Sequence, residues 1–207
     1  MKNLKKKMPH ILTINASPIA GSSTEILLNR VAEEIKSNCN KPATETIICL
    51  NDYQIKPCQA CGESPEPDYC LYKDEIYQVI EMLVECDIVL FGSPVYFDTV
   101  SAQAKLFIDR CNCLKPADFD KPDKQEFKKI LDKKRYGGII LVGGKRQKIE
   151  GARIVIAGFL KWVEIANCGM VSFESTGLVK GGASDDTTTL DKAAKLGRSI
   201  VEQYSAS

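Results

Sequence analysis

A loop rich in serine, threonine and glycine follows the first apolar stretch of the sequence, at residues 16–24. Ser22, followed three residues later by Glu25, has the spacing of a capping box and predicts that a helix starts at the end of this loop. The start of a helix offers backbone N–H groups and the positive end of a dipole, both of which favour anions. The loop therefore predicts a site for one phosphate group, although the same residue types also serve ordinary helix capping. The candidate phosphate-binding residues are Ser17, Ser22, Ser23 and Thr24.

Two more loops carry residues suited to binding a flat ring. The first follows the apolar segment 88–91 and contains two aromatic side chains. The second begins with two adjacent glycines, which would let the backbone approach a ring closely. The structural alternative is that the two aromatic residues belong to the core, but a segment that begins Gly-Ser-Pro is poorly suited to a core. The candidate ring-binding residues are Ser93, Pro94, Val95, Tyr96, Phe97, Gly143 and Gly144.

The positions of these loops require a sheet whose strands all end on the same edge. Apolar segments that predict strands alternate with segments whose apolar residues recur at helical spacing. The segment 88–91 is apolar throughout, which is typical of a central parallel strand covered by helices on both faces. The pattern predicts a single α/β domain over residues 1–207, with a doubly wound five-stranded parallel sheet in the order 2-1-3-4-5. The predicted strands are 10–15, 44–50, 88–91, 138–142 and 170–175.

Composition and motifs argue against several classes of function. Lys and Arg number 28 and Asp and Glu number 27, so no strong net charge would attract nucleic acid or a membrane surface. The phosphate loop lacks the lysine of a Walker motif and the glycine pattern of a dinucleotide-binding loop, which argues against an ATPase and a Rossmann dehydrogenase. The only histidine is His10, so no Ser-His or Cys-His nucleophile system is available.

The nine cysteines bear on the cellular compartment. Several of them, such as Cys49, Cys86 and Cys168, lie in or beside apolar segments, where a reduced thiol packs as a small hydrophobic group. The number is odd, and the basic N-terminal residues are not followed by the apolar core of a signal peptide. We therefore expect reduced thiols and a cytoplasmic location.

The segment from Ser93 to Arg110 resembles the SPVY loop and the following SxQxKxFIDR helix of the NADPH-dependent FMN reductase family, whose members are flavodoxin-like proteins. The loop at 16–24 resembles the GSPR…GNT phosphate loop of the same family, except that Ile19 replaces the usual arginine. The phosphate would then be held by neutral donors rather than by a charge. The resemblance implies FMN as the cofactor, with its phosphate in the first loop and its isoalloxazine ring between the other two.

Two functions from different classes follow from this resemblance. The first is an FMN-dependent NAD(P)H oxidoreductase that reduces flavin, quinone or a similar small acceptor, with NAD(P)H as co-substrate. No catalytic side chain is predicted, because the flavin carries the chemistry. The second is an electron-transfer protein of the iron–sulfur flavoprotein type, which would exchange electrons with ferredoxin-type partners. A non-enzymatic module that binds no flavin is a third hypothesis.

The segment 57–70 resembles the compact CxxCxxCx5C motif with which iron–sulfur flavoproteins hold a [4Fe–4S] cluster. Cys58, Cys61 and Cys70 fall on the first, second and fourth positions, but the third position is Ser64. A serine alkoxide is a harder and more basic ligand than a thiolate, which argues against a cluster held by all four positions. A turn without metal is the favoured hypothesis, and a labile cluster and a zinc site are the alternatives.

Two further expectations concern surfaces. The predicted helix after residue 151 is apolar nearly all round and contains Phe159 and Trp162; together with the family resemblance, this predicts a homo-oligomer, either a dimer or a tetramer. The polar segment 114–136 carries Phe127, Ile130 and Leu131 as the mark of a short amphipathic helix. This segment is predicted to be either a solvated excursion or a lid or subunit contact.

Overall fold

A computed structural model describes residues 8–61, 69–116, 127, 131, 133–176 and 179–207. Strands and helices alternate along this part of the chain. In order, they are β1 (His10–Asn15), α1 (Ser23–Asn38), β2 (Thr44–Cys49), α2 (Glu75–Glu85), β3 (Ile88–Tyr96), β4 (Thr99–Val100), α3 (Ala102–Arg110), β5 (Arg135–Gly144), α4 (Glu150–Trp162), β6 (Ile165–Ser175) and α5 (Thr187–Ser205).

Five of the strands form a parallel sheet in the order β2-β1-β3-β5-β6. The sixth, β4, is only two residues long and pairs antiparallel with the end of β3. With β4 left out of the count, this is the predicted order 2-1-3-4-5, so the predicted fold class is confirmed. The carboxyl ends of β1, β3, β5 and β6 therefore meet on one edge of the sheet, where ligands of such folds bind.

Helices cover both faces of the sheet. On one face, α2, α3 and α4 enclose a core in which Phe91 of β3 meets Phe159 of α4, with ring centroids 5.4 Å apart. On the other face, α1 and α5 enclose a second core, in which Leu90 packs with Val31 and Ile200. Successive residues of β3 therefore enter two different cores, which explains why the stretch 88–91 contains no polar residue.

The structure differs from the prediction where β3 ends. The Gly-Ser-Pro segment is predicted to belong to the loop after this strand, but the strand continues through it to Tyr96. Pro94 lies beside β5, and Tyr96 pairs with Thr99 of β4. The turn between β3 and β4 consists of Phe97 and Asp98, whose φ angles are 50° and 60°. This hairpin was not predicted, because its second strand is too short to show an alternating pattern.

Strands β5 and β6 also begin earlier than predicted, at Arg135 and Ile165. Arg135 is fully buried, and its guanidinium donates hydrogen bonds to the main-chain carbonyls of Leu83, at 2.7 Å, and of Val163. These two bonds satisfy the terminal nitrogens of the guanidinium, while its buried Nε has no hydrogen-bond partner among the described residues. Hydropathy alone predicts that an arginine lies outside a buried strand. The predicted start of β5, at residue 138, was therefore too late.

The segment 114–136 is described only in part. Phe127 packs edge-on against Trp162, with ring centroids 4.9 Å apart, and Leu131 is buried in the core beneath α4. The remainder of the predicted short helix, including Ile130, lies outside the described residues. The choice between a solvated excursion and a lid or subunit contact stays open.

Two glycines of α4 provide a test of this packing. A Cβ atom on Gly151 would overlap the carbonyl oxygen of Asp98, whereas a Cβ atom on Gly158 would meet no atom within 4 Å. We expect Gly151→Ala to lower the free energy of unfolding by about 1–3 kcal/mol through overpacking. Gly158→Ala should raise it by about 0.5–1 kcal/mol, because alanine favours the helix. Urea unfolding of both variants measures this, and a shift of the same sign in both would contradict the packing of α4 on the hairpin.

Candidate functional site

A cavity of about 860 Å³ opens at the carboxyl edge of the sheet. The three loops proposed from the sequence meet there: the loop before α1, the end of β3, and the loop after β5. The predicted site residues that line it are Ser17, Ser22, Ser23, Thr24, Pro94, Val95, Tyr96, Gly143 and Gly144. Its volume lies within the range of about 300–1,000 Å³ typical of small-molecule sites.

Two predicted site residues do not line this cavity. Ser93 is fully buried, and its hydroxyl donates to the carbonyl oxygen of Pro94 at 2.7 Å and accepts from the N–H of Ser101 at 3.1 Å. It therefore fastens the start of α3 to β3. Phe97 is 98% exposed at the tip of the β3–β4 hairpin. Tyr96, by contrast, is 38% exposed and forms part of the cavity wall.

In the first loop, the serine hydroxyls already have protein partners. The Ser22 hydroxyl caps α1 by accepting from the N–H of Glu25 at 3.3 Å. The carboxylate of Glu25 accepts from the N–H of Gly21, at 2.7 Å, so the second bond of the predicted capping box goes to the preceding residue. The hydroxyl of Ser23 accepts from the N–H of Ala183 at 3.1 Å. The groups left for an anion are chiefly the backbone N–H groups of the first turn, which have no partner inside the helix.

The loop between β6 and α5 was not predicted to belong to the site. It contributes Thr176, Val179, Lys180 and Gly181 to the cavity wall, next to Ser175 at the end of β6. The side chain of Lys180 reaches the first loop: its Nζ lies 3.6 Å, and its Cε 3.2 Å, from the position that a Cβ atom on Gly21 would occupy. A cation therefore stands beside the phosphate loop, where Ile19 supplies no charge. No local pattern indicates this, because the two residues are brought together only by the packing of α1 on α5.

Hydrogen bonds join the two loops at the other end of the cavity. The N–H of Gly144 donates to Oε1 of Gln147 at 2.6 Å, and the N–H of Gln147 donates to the carbonyl of Gly144 at 2.9 Å, which closes the loop after β5. The N–H of Lys148 then donates to the carboxylate of Asp98 at 2.7 Å. The glycine loop and the hairpin that carries Tyr96 are thereby held as one wall.

A second cavity, of about 350 Å³, lies beyond the far end of α3. Cys58, Cys61 and Cys70, the predicted metal ligands, all line it, and so does Cys113. Ser64 lies outside the described residues. In the described part of the chain, no three His, Cys, Asp or Glu side chains form a group arranged to hold a single metal ion.

Arg110 organises this second cavity. It is 1% exposed and forms a two-pronged ion pair with the carboxylate of Asp74, with N–O distances of 2.7 and 3.0 Å. It also donates to the carbonyl of Lys56 at 3.1 Å and to Sγ of Cys70 at 3.5 Å. Burial, together with the nearby Cys70 thiol, raises the pKa of Cys113 to about 12, so this thiol is neutral at neutral pH when no metal is bound.

Comparison with known proteins identifies the family. The NADPH-dependent FMN reductase family matches residues 9–174. The chain belongs to this family. An iron–sulfur flavoprotein from Methanosarcina thermophila is 24% identical over 194 residues, which are 93% of each chain. One from Archaeoglobus fulgidus is 40% identical over 100 residues, 48% of this chain and 47% of that relative.

Solved structures agree with the fold. An NAD(P)H:quinone oxidoreductase from Methanothermobacter marburgensis superposes with a TM-score of 0.66 at 18% identity, covering 93% of this chain and 96% of that one. An azoreductase from Bacillus anthracis gives 0.65 at 15% identity, covering 92% and 99%. The predicted family and its flavodoxin-like fold are thus confirmed, and the family supports the predicted FMN-dependent oxidoreductase. Within the described residues, no helix combines the length and apolar character needed to cross a membrane.

Proposed function

We propose that this protein is an FMN-dependent NAD(P)H oxidoreductase that reduces a flavin, a quinone or a similar small acceptor, and that the 860 Å³ cavity is its FMN site. The observation that carries the proposal is the convergence of three loops on one cavity. One end of that cavity has the start of a helix, and the other has an aromatic residue beside two glycines. The family to which the chain belongs supports the same conclusion.

The end formed by α1 suits the phosphate of FMN. The first-turn N–H groups of α1 and the positive end of its dipole would hold the phosphate oxygens. Lys180, which stands beside Gly21, would supply a full positive charge. We infer that this lysine takes the role that the usual arginine has in the family's phosphate loop, where this chain has Ile19.

The end formed by β3 and β5 suits the flavin ring. Tyr96 flanks the cavity, and the backbone at Gly143 and Gly144 borders it without side chains in the way. Lys145 and Arg146 are exposed at its edge, where cationic side chains attract the phosphate groups of NAD(P)H. Bound FMN would supply the hydride-transfer chemistry, and the protein would supply position and electrostatics.

The lining of the cavity is consistent with chemistry performed by a cofactor. Among the described residues, no carboxylate, imidazole or thiol side chain borders it. His10 lies at the start of β1, on the opposite edge of the sheet, where its ring is within 2.9 Å of the hydroxyl of Thr46. Hydrolases and transferases that use a Ser-His, Cys-His or paired-carboxylate system would need at least one such group at the site.

The second candidate function is electron transfer with ferredoxin-type partners. The names of several relatives, which are iron–sulfur flavoproteins, and the cysteine-lined cavity favour it. The two candidates differ in what reduces the bound flavin. A reductase accepts electrons rapidly from NADH or NADPH, whereas a carrier of this type reacts with a reduced redox protein and barely with a nicotinamide.

A homo-oligomer remains a proposal, but the residue of α4 that supports it is not one of those named from the sequence. The two aromatic residues on which the prediction rested pack within the chain: Phe159 is buried, and Trp162 contacts Phe127. The exposed apolar residue of α4 is instead Ile154, with 56% of its surface accessible. We expect sedimentation velocity at micromolar concentration to give a dimer or a tetramer and Ile154→Lys to weaken that association. A monomeric parent protein would refute it.

Stopped-flow spectroscopy tests the proposed reaction. Mixing the FMN-loaded protein with NADPH or NADH under anaerobic conditions should bleach the flavin absorption within the turnover time, because one of these donors is the substrate. Mixing with a reduced ferredoxin serves as the comparison. Rapid bleaching by ferredoxin alone, with neither nicotinamide effective, would support the electron carrier instead.

The phosphate end can be tested separately. Lys180→Glu should weaken FMN binding by about 10- to 100-fold, because a charge-assisted contact is lost and a negative charge faces the phosphate. Binding of riboflavin, which lacks the phosphate, should be unchanged. Lys192→Glu, an equal charge change on the exposed side of α5, is the matched control. Fluorescence titration measures all these affinities, and equal loss of FMN and riboflavin binding would show that Lys180 does not act on the phosphate.

A further inference from the structure

The second cavity brings together cysteines from two separate parts of the chain. All nine cysteines lie in the described residues and are present as thiols. Four of the nine line this one cavity, and the other five do not. Three come from the segment that follows β2, and the fourth, Cys113, comes from the 3-10 turn Cys111–Leu114 at the end of α3. The sequence motif alone contains only the first three.

We propose that this cavity is a site for an iron–sulfur cluster and that Cys113 supplies its fourth thiolate. The four ligands are Cys58, Cys61, Cys70 and Cys113. If the motif alone held the cluster, Ser64 would have to supply the one ligand that is not a thiolate. A thiol from another element removes that requirement. The proposal goes beyond the oxidoreductase function proposed above, and none of the described residues lines both cavities.

The turn that carries Cys113 is held in place by its neighbours. Cys111 is fully buried in the core formed by α2, α3 and α4, which fixes the start of the turn. Residues two apart on a tight helix point in different directions, so Cys113 is directed to the cavity while Cys111 enters the core. The S–H of Cys113 donates to the carbonyl of Arg110 at 3.1 Å. The position of the fourth thiol is therefore set by the fold.

The charges around the cavity suit a group held by thiolates. Arg110 donates an N–H to Sγ of Cys70, and hydrogen bonds to ligand sulfurs are one way in which proteins tune such clusters. Lys115 lines the same cavity. Each cation also pairs with a carboxylate, Arg110 with Asp74 and Lys115 with Glu164, so together they would offset only part of the negative charge of four thiolates.

The size of the cavity favours a cluster over a single zinc ion. Zinc bound by four cysteines requires all four sulfur atoms at about 2.3 Å from one point. Here the thiols border a volume of about 350 Å³. A cluster contributes its own iron and sulfide atoms, which fill space between ligands. Soft thiolates are the donors that iron–sulfur clusters take.

Anaerobic reconstitution of the full chain with ferrous iron and sulfide tests the proposal. The FMN-free parent protein should take up about four iron and four sulfide ions per chain and show the broad visible absorption of a cluster. Cys113→Ala should lose at least three quarters of this iron and sulfide. Ser64→Ala should lose none, because Ser64 is not a ligand. Cys39→Ala, at the end of α1, is a control for removing a cysteine outside the cavity.

Three results would overturn the proposal. They are a parent protein that takes up no iron and sulfide, a protein that binds one zinc ion in their place, and a cluster that survives Cys113→Ala but not Ser64→Ala. Binding of FMN by each variant checks that it is folded, since neither Cys39 nor Cys113 is among the described residues that line the proposed FMN cavity. Because the metal assay uses FMN-free protein, its outcome is independent of whether NAD(P)H reduces the flavin.

Discussion

Ser101 joins three parts of the structure that are far apart in the sequence. Its side chain is fully buried; the hydroxyl donates to the carbonyl of Ala16 at 2.8 Å and accepts from the N–H of Ala104 at 3.3 Å. Its own N–H donates to the hydroxyl of Ser93. One residue thus caps α3, holds the first loop, and fixes the end of β3. The candidate cofactor cavity depends on this, because two of its walls are the segments that Ser101 connects.

Helix α3 connects the two cavities. It begins at Ala102, behind the hairpin that carries Tyr96, and it ends at Arg110, which lies in the cysteine-lined cavity. Nine helical residues span about 14 Å at about 1.5 Å per residue, which sets the scale of separation between the two sites within one chain. The residues that fix the helix differ at its two ends. A serine network holds the first end, and the buried pair of Arg110 with Asp74 holds the second.

In both proposed sites, a residue from elsewhere in the chain would meet the physical requirement that a family motif residue usually meets. A phosphate in a loop of neutral residues gains from a nearby cation, and Lys180 stands there although the loop itself has Ile19. A thiolate cluster needs four thiols, and Cys113 stands beside the three that the motif retains. In each case the replacement comes from a segment far along the chain. A residue-by-residue comparison with the family motifs would count the arginine missing at Ile19 and the cysteine missing at Ser64 as lost ligands.

The sequence by itself determined the fold class, the strand order and the three loops of the candidate site. These follow from local physics: the period of apolar residues, the residues that cap helices, and the rule that parallel strands end on one edge. Nine of the eleven residues proposed for the cofactor line the cavity. Family membership, which several motifs indicated, is confirmed.

Only the tertiary structure decided which side chains face the cavities. Ser93 and Phe97 have suitable neighbours in sequence, but a hairpin buries the first and turns the second outward. Lys180 and Cys113 carry no local signal, because their positions follow from how α1 packs on α5 and how α3 ends against the core. A local sequence pattern indicates which helix or strand a residue belongs to and which face of that element is buried. Contacts between distant segments depend on the packing of whole helices on the sheet, which no single stretch of sequence records.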